Sequence, residues 1–453
     1  MLSGASLTAF EGGWRATLQG SVPGRLYRRL RSAAAERIQP YLATSLAARL
    51  APGLSLATLF LLLFLSPLVG TGLNALLVLA AAGCAALLAV THPATEDAAS
   101  PLDLPFLILA GILVVAAAAS LYPVASAKGL AKLAIYGLAY LVFRDAVRRG
   151  GTWAWVPLAG LLGAALLESV YGLYQFRIKV APLATWEDAE SELHLTRVYG
   201  TLRNPNLLGG YLVAAIPLGL AGALAWRGLA RWIAAGVLVL GPLVLYLTYS
   251  RGAYVALGAE LGVLALFGLA AGWRRKRTWL LAGLFLCVAA VGLWYAWEHV
   301  PAFQARLASI VTPRGDSSNS FRMNVWRATI EMIRDSWYLG VGIGNDAFRH
   351  GYALYMISGF EALGAYNIFL EWAAEAGVFA CLAFVWLVLA AAARGVEGFA
   401  LGVARPWAAG AVAALAGLMV HGLVDTVFFR PAVQLPFWLI MAFLAGLPRI
   451  DRS

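Results

Sequence analysis

The chain has 453 residues, of which 61% are hydrophobic and only 13% are charged. A soluble domain carries about 25% charged residues, so this composition excludes an ordinary soluble protein. The net charge of +11 is scattered over many short segments rather than gathered in one patch, which argues against a nucleic-acid partner.

The first 50 residues are basic and precede the first apolar run. The stretch RLYRRLRSAAAERI (25–38) has the pattern of a basic amphipathic helix lying on anionic lipid head groups. A partly disordered cytoplasmic tail is the alternative. The arginines are spread and no A-x-A site follows them, so a cleavable signal peptide is not expected.

Apolar runs of about 20 residues recur along the rest of the chain, the length that a helix needs to cross a bilayer. Backbone groups in lipid must be hydrogen-bonded within their own segment, and the runs are too long and too uniformly apolar for barrel strands. The sequence therefore predicts an all-α polytopic membrane protein with about twelve spans. The predicted spans lie near 53–70, 73–91, 104–122, 127–145, 152–176, 206–226, 231–249, 252–272, 279–298, 364–393, 406–427 and 434–448.

Lysine and arginine in the short loops predict the orientation of the spans. With twelve spans these basic loops fall on one side of the membrane, and such loops are typical of the cytoplasm, so both termini are predicted to be cytoplasmic. The predicted organisation is a basic segment (1–50), a first transmembrane part of about nine spans (51–298), a large outer loop (299–363) and a last part of about three spans (364–453).

Residues 198–212, VYGTLRNPNLLGGYL, mark the predicted start of the sixth span on the outer side. Asn204 is a good N-cap and Pro205 suits the first helical position. The free amides of a helix N-terminus favour an anion, Arg203 adds a full positive charge, and Asn206 lies in the same turn. The alternative is a well-capped helix without a ligand.

Several ionisable residues fall in or near later apolar runs, where such groups are costly and are often functional. Arg251 lies in TYSRGAYVAL (248–257), at the outer end of a turn between two spans. Glu371 and Glu375 share a helix face, and His421 and Asp425 repeat that spacing. An internal salt bridge, or a group reaching the membrane interface, is the alternative for each. Further members of this set are Glu168 and Glu260.

The outer loop contains SFRMNVWRATIEMIRDSWYLGVG (320–342), which has the spacing of an amphipathic helix. Such a helix would present Arg322 and Arg327, although a solvated charged face is the favoured interpretation of Arg327 and of Arg334. Its predicted apolar stripe consists of Phe321, Val325, Ile330 and Ile333. The sequence shows no metal-ligand spacing and no nucleotide-binding loop, so neither a metal, a cofactor nor a nucleotide is expected.

The order of four motifs resembles the O-antigen ligase/polymerase superfamily, and is most similar to the IctB family, which is labelled as bicarbonate transporters. The motifs are GTLRNPNLLGGYL, TYSRGAYVAL, SFRMNVWRATIEMIRDSWYLGVGIGNDAF and AYNIFLEWAAEAGVFACLAF. Each motif alone is weak, but their order is specific. The resemblance runs from about Leu104 to the C-terminus.

The resemblance implies a helix bundle similar to C-type glycosyltransferases, in the bacterial inner membrane, with a large periplasmic loop over a cavity. It implies transfer of a glycan from an undecaprenyl-pyrophosphate carrier to a lipid or glycan acceptor, without a nucleotide sugar, a metal or another cofactor. Two arginines of the family hold the pyrophosphate, and Arg251 and Arg322 match them. Guanidinium groups suit a leaving group that gains negative charge. Arg203, Asn204 and Asn206 are predicted on the same side.

One position departs from the pattern of the ligases. They carry a histidine, the proposed general base, where this chain has Tyr366. Tyrosine has an ordinary pKa of about 10 and is a poor base. Glu371, Glu375 or Asp425 would then take the acceptor proton, unless the protein does not ligate.

Three functions stay open at this point. The favoured one is a membrane glycosyltransferase. The others are a transporter of bicarbonate, or a factor in inorganic-carbon accumulation, and a non-catalytic binder of a lipid-linked anion. The sequence shows neither an internal repeat nor a polar path across the membrane, which argues against the transporter.

Overall fold

The structure is a computed structural model that describes residues 41, 45–92, 100–181, 183, 196–272 and 317–450. Within these ranges the regular structure consists of fourteen α-helices and one 3-10 turn, Val427–Phe429, without a strand. In chain order the helices are α1 (Leu46–Leu65), α2 (Thr71–Thr91), α3 (Asp103–Ala118), α4 (Pro123–Arg149), α5 (Thr152–Arg177), α6 (Pro205–Ala225), α7 (Gly228–Leu247), α8 (Arg251–Gly272), α9 (Ser317–Asp335), α10 (Asn345–Tyr352), α11 (Ile368–Ala376), α12 (Val378–Ala400), α13 (Arg405–Gly422) and α14 (Pro431–Ile450).

Seven of the described helices are long and apolar enough to cross a membrane, namely α1, α2, α5, α6, α7, α8 and α12. Helix α3 and residues Pro431–Leu447 of α14 are shorter apolar helices. The prediction of an all-α polytopic membrane protein is confirmed by this architecture. The predicted ninth span (279–298) and the basic stretch 25–38 lie outside the described residues.

Helix α6 lies at the centre of the bundle and packs against α7 and α13. Its residues are buried almost without interruption from Leu208 to Gly219. A Cβ atom at Gly410 of α13 would lie 2.6 Å from the Pro217 carbonyl oxygen of α6, so the close approach of these two backbones requires glycine. The crossing fixes the N-terminus of α6 against the C-terminal end of α13.

The predicted tenth span (364–393) is divided into α11 and α12 at Gly377. This glycine has a φ of +86°, and a Cβ atom there would lie 2.3 Å from the Tyr338 carbonyl oxygen. The stretch before α10 runs along the break, where the Val341 amide donates to the Ala374 carbonyl (2.9 Å). The helix is therefore interrupted because a second piece of the chain binds to its backbone.

Helices α9 and α10 form a layer with its own apolar cluster at one end of the bundle, which we call the loop end. The predicted amphipathic helix is confirmed, but its buried face differs from the predicted stripe. Val325, Ala328 and Met332 are buried, whereas Ile330 is 40% exposed. A helix turns by about 100° per residue, so Ile330 lies some 140° from Val325 and faces away. Arg327 and Arg334 are exposed, as predicted.

Candidate anion-binding site at the loop end of the bundle

A cavity of about 1180 Å³ lies at the loop end. Its wall combines the α1–α2 turn, the loop before α6, Lys132 of α4, residues before α11, and the chain from Asp425 to Ala432. Five of the sequence-predicted site residues line it: Arg203, Asn204, Asn206, Tyr366 and Asp425. The structure thus brings together residues that are more than 200 positions apart in the chain.

The N-terminus of α6 has the predicted capping geometry. Asn204 is extended (φ −152°, ψ 120°), and its side-chain oxygen accepts hydrogen bonds from the amides of Asn206 (2.9 Å) and Leu207 (3.1 Å). Arg203 has a left-handed backbone (φ +57°), which turns the chain into the helix. The predicted N-cap is confirmed, and the positive end of the helix faces the cavity.

Helix α5 holds the backbone of the loop that leads into this N-terminus. The Gln175 side-chain oxygen accepts hydrogen bonds from the amides of Tyr199 (3.1 Å) and Gly200 (2.8 Å). Two turns earlier on the same helix, Glu168 accepts hydrogen bonds from the amide (3.0 Å) and hydroxyl of Thr201. The buried Glu168 therefore positions the loop before the site.

Asp425 connects three parts of the site. Its Oδ2 atom accepts a hydrogen bond from the Asn206 side-chain amide (2.9 Å) and lies 3.7 Å from Nη2 of Arg322. Its Oδ1 atom accepts a hydrogen bond from the Val427 amide (3.2 Å). On its other side, Asn206 accepts a hydrogen bond from Arg197 (3.2 Å). The carboxylate thus joins the start of α6 to the outer helix α9.

Arg251 begins α8 at the same place in the molecule. The next residue, Gly252, packs on His421, because a Cβ atom there would lie 3.0 Å from Cδ2 of that ring. His421 is buried one turn before Asp425, the partner of Arg322. The chain segments that carry Arg251 and Arg322 therefore both meet the C-terminal end of α13. Neither arginine is among the described residues that line the cavity.

Tyr366 lies directly before α11, outside the seven candidate spans. The next residue, Asn367, caps α11 and donates to the Leu423 carbonyl (3.1 Å), which ties this helix to the same end of α13. The ring of Tyr366 packs edge-on against Phe321 of α9. Burial first, and then the Asp425 carboxylate, raise the pKa of Tyr366 above its ordinary value. The phenol is therefore a hydrogen-bond donor at neutral pH.

Glu371 and Glu375 are buried on α11 and bind backbone amides. Glu371 accepts a hydrogen bond from the Ala365 amide (3.1 Å), and Glu375 accepts one from the Gly344 amide (2.8 Å). Neither is among the described residues that line the cavity. These hydrogen bonds hold the loops before α10 and α11. The role of Glu371 and Glu375 as proton acceptors stays a prediction.

Two cationic residues of the cavity wall, Lys132 and Arg430, were not predicted as site residues. A signal for both exists in the sequence. With twelve spans, Arg430 falls in an outer loop, where the charge rule disfavours arginine, and Lys132 interrupts an apolar run. Both residues therefore have a role other than setting the orientation of the spans.

The fold and the cavity define an all-α polytopic membrane protein with a polar site at one end of its bundle. Residues 235–385, about a third of the chain, match the family model described as O-antigen ligase (Wzy_C). The matched domain supports the O-antigen ligase/polymerase superfamily and a membrane function of the ligase/polymerase type. Arg251, Arg322 and Tyr366 all lie within the match. No curated protein matches the chain.

Proposed function

We propose that the protein transfers a glycan from a polyprenyl-pyrophosphate carrier to a lipid or glycan acceptor, at the periplasmic leaflet of a bacterial inner membrane. One observation carries this proposal. Asp425 lines the cavity beside the N-terminus of α6 and pairs with Arg322, so anion-binding groups and a carboxylate share one site. The volume exceeds the range of about 300–1,000 Å³ that is typical of small-ligand pockets, as a glycan substrate requires.

The reaction that fits this site is a displacement at the anomeric carbon of the donor sugar. The acceptor hydroxyl forms the new C–O bond, the bond to the diphosphate breaks, and the diphosphate leaves with the electron pair. Arg322 and Arg251 stabilise the charge that develops on this leaving group. The amides at the start of α6 face the same anion.

The proton of the acceptor hydroxyl goes to Asp425 in this proposal. Asp425 is the one carboxylate among the described residues that line the cavity. Arg322 balances its charge in the structure. A bound diphosphate competes for that arginine and leaves Asp425 with its hydrogen bond from Asn206, as a carboxylate able to take a proton. Tyr366 donates a hydrogen bond to the reacting oxygens.

Substitution of the two arginines tests the proposal. Arg251→Ala and Arg322→Ala are expected to abolish the surface glycan while the protein still inserts into the membrane. Arg322→Lys keeps the charge but loses the planar fork of donors, so partial activity is expected. Arg334→Ala is the matched control, because Arg334 is on the same helix, is exposed and pairs with Glu331. Normal glycan in both alanine variants would overturn the proposal.

Bicarbonate transport is the second candidate function. The cations of the cavity wall, Arg203, Lys132 and Arg430, would also attract a small anion. The enzyme is favoured because the cavity lies at one end of the bundle, whereas transporters bind near mid-membrane. Saturable bicarbonate flux into liposomes carrying the purified protein would favour the transporter. Carrier binding without transfer would favour a non-catalytic binder of the lipid-linked anion.

A further inference from the structure

The cavity wall holds a second group of hydrogen-bond donors, separate from the Arg322–Asp425 pair. Lys132 on α4 and Arg430 directly before α14 line the cavity, and the buried Tyr136 on α4 is the third member of the group. Lys132 and Tyr136 are one helical turn apart and so share a face of α4. Helices α4 and α14 pack against each other, which fixes the two parts of the group relative to one another.

The charges of this group have no partner among the described residues. Lys132 is half-buried and Arg430 is exposed, and neither side chain makes an ion pair or a hydrogen bond there. The two cations repel each other. Glu371 and Glu375 act electrostatically on Lys132, but neither makes an ion pair with it among the described residues. Each of the two carboxylates instead accepts a hydrogen bond from a backbone amide. Two like charges that line one cavity attract an anion to the space between them.

Tyr136 supplies an independent observation. Its side chain is only 3% exposed, and its hydroxyl has no hydrogen-bond partner within the described part of the chain. A buried hydroxyl without a partner costs free energy, so such a group indicates a partner that binds in another state. The charge of Arg430 acts on Tyr136, and α4, which carries Tyr136, packs against α14, which Arg430 precedes.

Arg430 is held in place by its own backbone. Its carbonyl accepts hydrogen bonds from the amides of Val433 (3.0 Å) and Gln434 (2.9 Å), so it occupies the capping position of α14, and Pro431 follows as the first helical residue. The cavity therefore meets the positive ends of two helices, α6 behind Asn204 and α14 behind Arg430.

We propose that Lys132, Tyr136 and Arg430 form a second oxyanion-binding subsite of the cavity, which takes a phosphate or carboxylate group. This extension rests on the proposed function. The second subsite holds an acidic group of the glycan or acceptor, while the diphosphate of the carrier is bound by Arg251 and Arg322. Tyr366 lines the same cavity as Lys132 and Arg430, and the charges of both Arg322 and Arg430 act on it.

Calorimetric titration of the purified full-length chain with inorganic phosphate tests the subsite. The unaltered protein is expected to bind two equivalents, and Arg430→Gln and Arg322→Gln are each expected to lose one. Tyr136→Phe is expected to weaken one site about tenfold, because it removes a hydrogen bond to a charged group. Arg349→Gln removes an exposed arginine of α10 at the same end of the molecule and is the control. Two undiminished equivalents in Arg430→Gln would overturn the inference.

The outcome separates the subsite from the proposed function. If Arg430→Gln loses one equivalent although Arg251→Ala and Arg322→Ala both make normal glycan, the subsite stands and the proposed function fails. If Arg430→Gln keeps both equivalents although Arg322→Ala makes no glycan, the function stands and the subsite fails.

The source of the oxyanion is found by repeating the titration in nanodiscs. In discs of phosphatidylglycerol, loss of the Arg430-dependent equivalent relative to phosphatidylcholine discs assigns the subsite to a lipid head group. Unchanged binding assigns it to the substrate. Both results depend on an oxyanion at Arg430, whereas Arg430→Gln that binds as much phosphate as the unaltered protein in both discs contradicts it.

Discussion

The motif resemblance places Tyr366 at the position where ligases carry a histidine, and the surroundings of the tyrosine define its own role. Its left-handed backbone (φ +51°) directs the chain into the cap at Asn367, as the φ of +57° at Arg203 does before Asn204. Both residues line the cavity. Because burial and Asp425 raise its pKa, the phenol keeps its proton and serves as a donor.

Replacement of Tyr366 by phenylalanine is expected to lower the rate of glycan transfer about tenfold, the effect of losing one hydrogen bond to a charged group. The pH profile is expected to stay unchanged between about pH 6 and pH 9, since the raised pKa keeps this side chain from titrating there. Transfer by purified protein across this range measures both effects. Tyr338→Phe, at an exposed tyrosine, is the control. A wild-type rate that rises with pH and loses this dependence in Tyr366→Phe would identify the tyrosine as the base instead.

Asp425→Asn keeps the shape of the side chain and removes its charge. Transfer is expected to fall by at least about a hundredfold, the usual contribution of a general base. The level of inserted protein is expected to stay normal, because the amide oxygen still accepts the hydrogen bond from the Val427 amide and only the bond from Asn206 is lost. Initial rates of transfer, normalised to inserted protein, measure this effect. Asp335→Asn, at an exposed position on α9, should leave the rate unchanged. Full activity of Asp425→Asn would move the role of base to another group.

Sequence reasoning at this scale succeeded where the signal is local. The Asn204 cap was predictable because the capping residue, the proline and the apolar helix are contiguous. The partnership of Asp425 with Asn206 and Arg322 was not predictable, since it joins three distant segments. The cations Lys132 and Arg430 were missed because they belong to no motif.

The loop before α6 takes its shape from contacts with helix α5. It is held by Gln175 and Glu168 of α5, and Gly200 has a left-handed backbone (φ +60°) at the point of closest approach. A Cβ atom at Gly200 would lie 2.1 Å from Oε2 of Glu168. The position therefore excludes any side chain, both by its backbone conformation and by contact.

Gly200→Ala and Gly228→Ala form a matched pair, since both glycines have a φ of +60° and only Gly200 has atoms within 4 Å of the added carbon. Gly228→Ala is expected to cost about 1–2 kcal/mol of stability, the penalty of a left-handed backbone. Gly200→Ala is expected to cost about 1–3 kcal/mol more, because it overpacks the contact with Glu168. Thermal unfolding in detergent compares the two variants, and transfer is expected to be lost only in Gly200→Ala. Equal melting temperatures would show that the loop is free to move.

The elements that the sequence misplaced depend on contacts between distant parts of the chain. The break at Gly377 was hidden inside an apolar run, because it is set by the Tyr338 carbonyl of another segment. The exposure of Ile330 was missed since the apolar residues of α9 allow more than one stripe, and packing against α10 and α11 selects the face of Val325. Hydropathy predicts that the helices exist. It does not predict where a helix is interrupted or which of its faces is buried.

At the scale of the whole molecule, the polar groups of the site gather at one end of an apolar bundle. The end of α13 is the meeting point: Asp425 binds the start of α6 and Arg322 of α9, and Leu423 binds the cap of α11. The turn before α8 is linked to it through Arg197, which donates to the Thr248 carbonyl (3.0 Å) and to Asn206. Composition alone predicts the bundle, because burial in lipid is a local requirement, but the convergence of the site is a property of the packed helices.

The orientation of this bundle decides which leaflet the site serves, and cysteine labelling measures it. The N-terminus of α6 lies at the loop end, and a helix of 21 residues is about 30 Å long, so Arg227 after α6 lies at the opposite end. The charge rule assigns that end to the cytoplasm. In a background without Cys84, Cys287 and Cys381, an impermeant maleimide is expected to label Arg334→Cys in intact spheroplasts. Arg227→Cys should react only after permeabilisation. The reverse pattern would place the cavity on the cytoplasmic side and exclude transfer at the periplasmic leaflet.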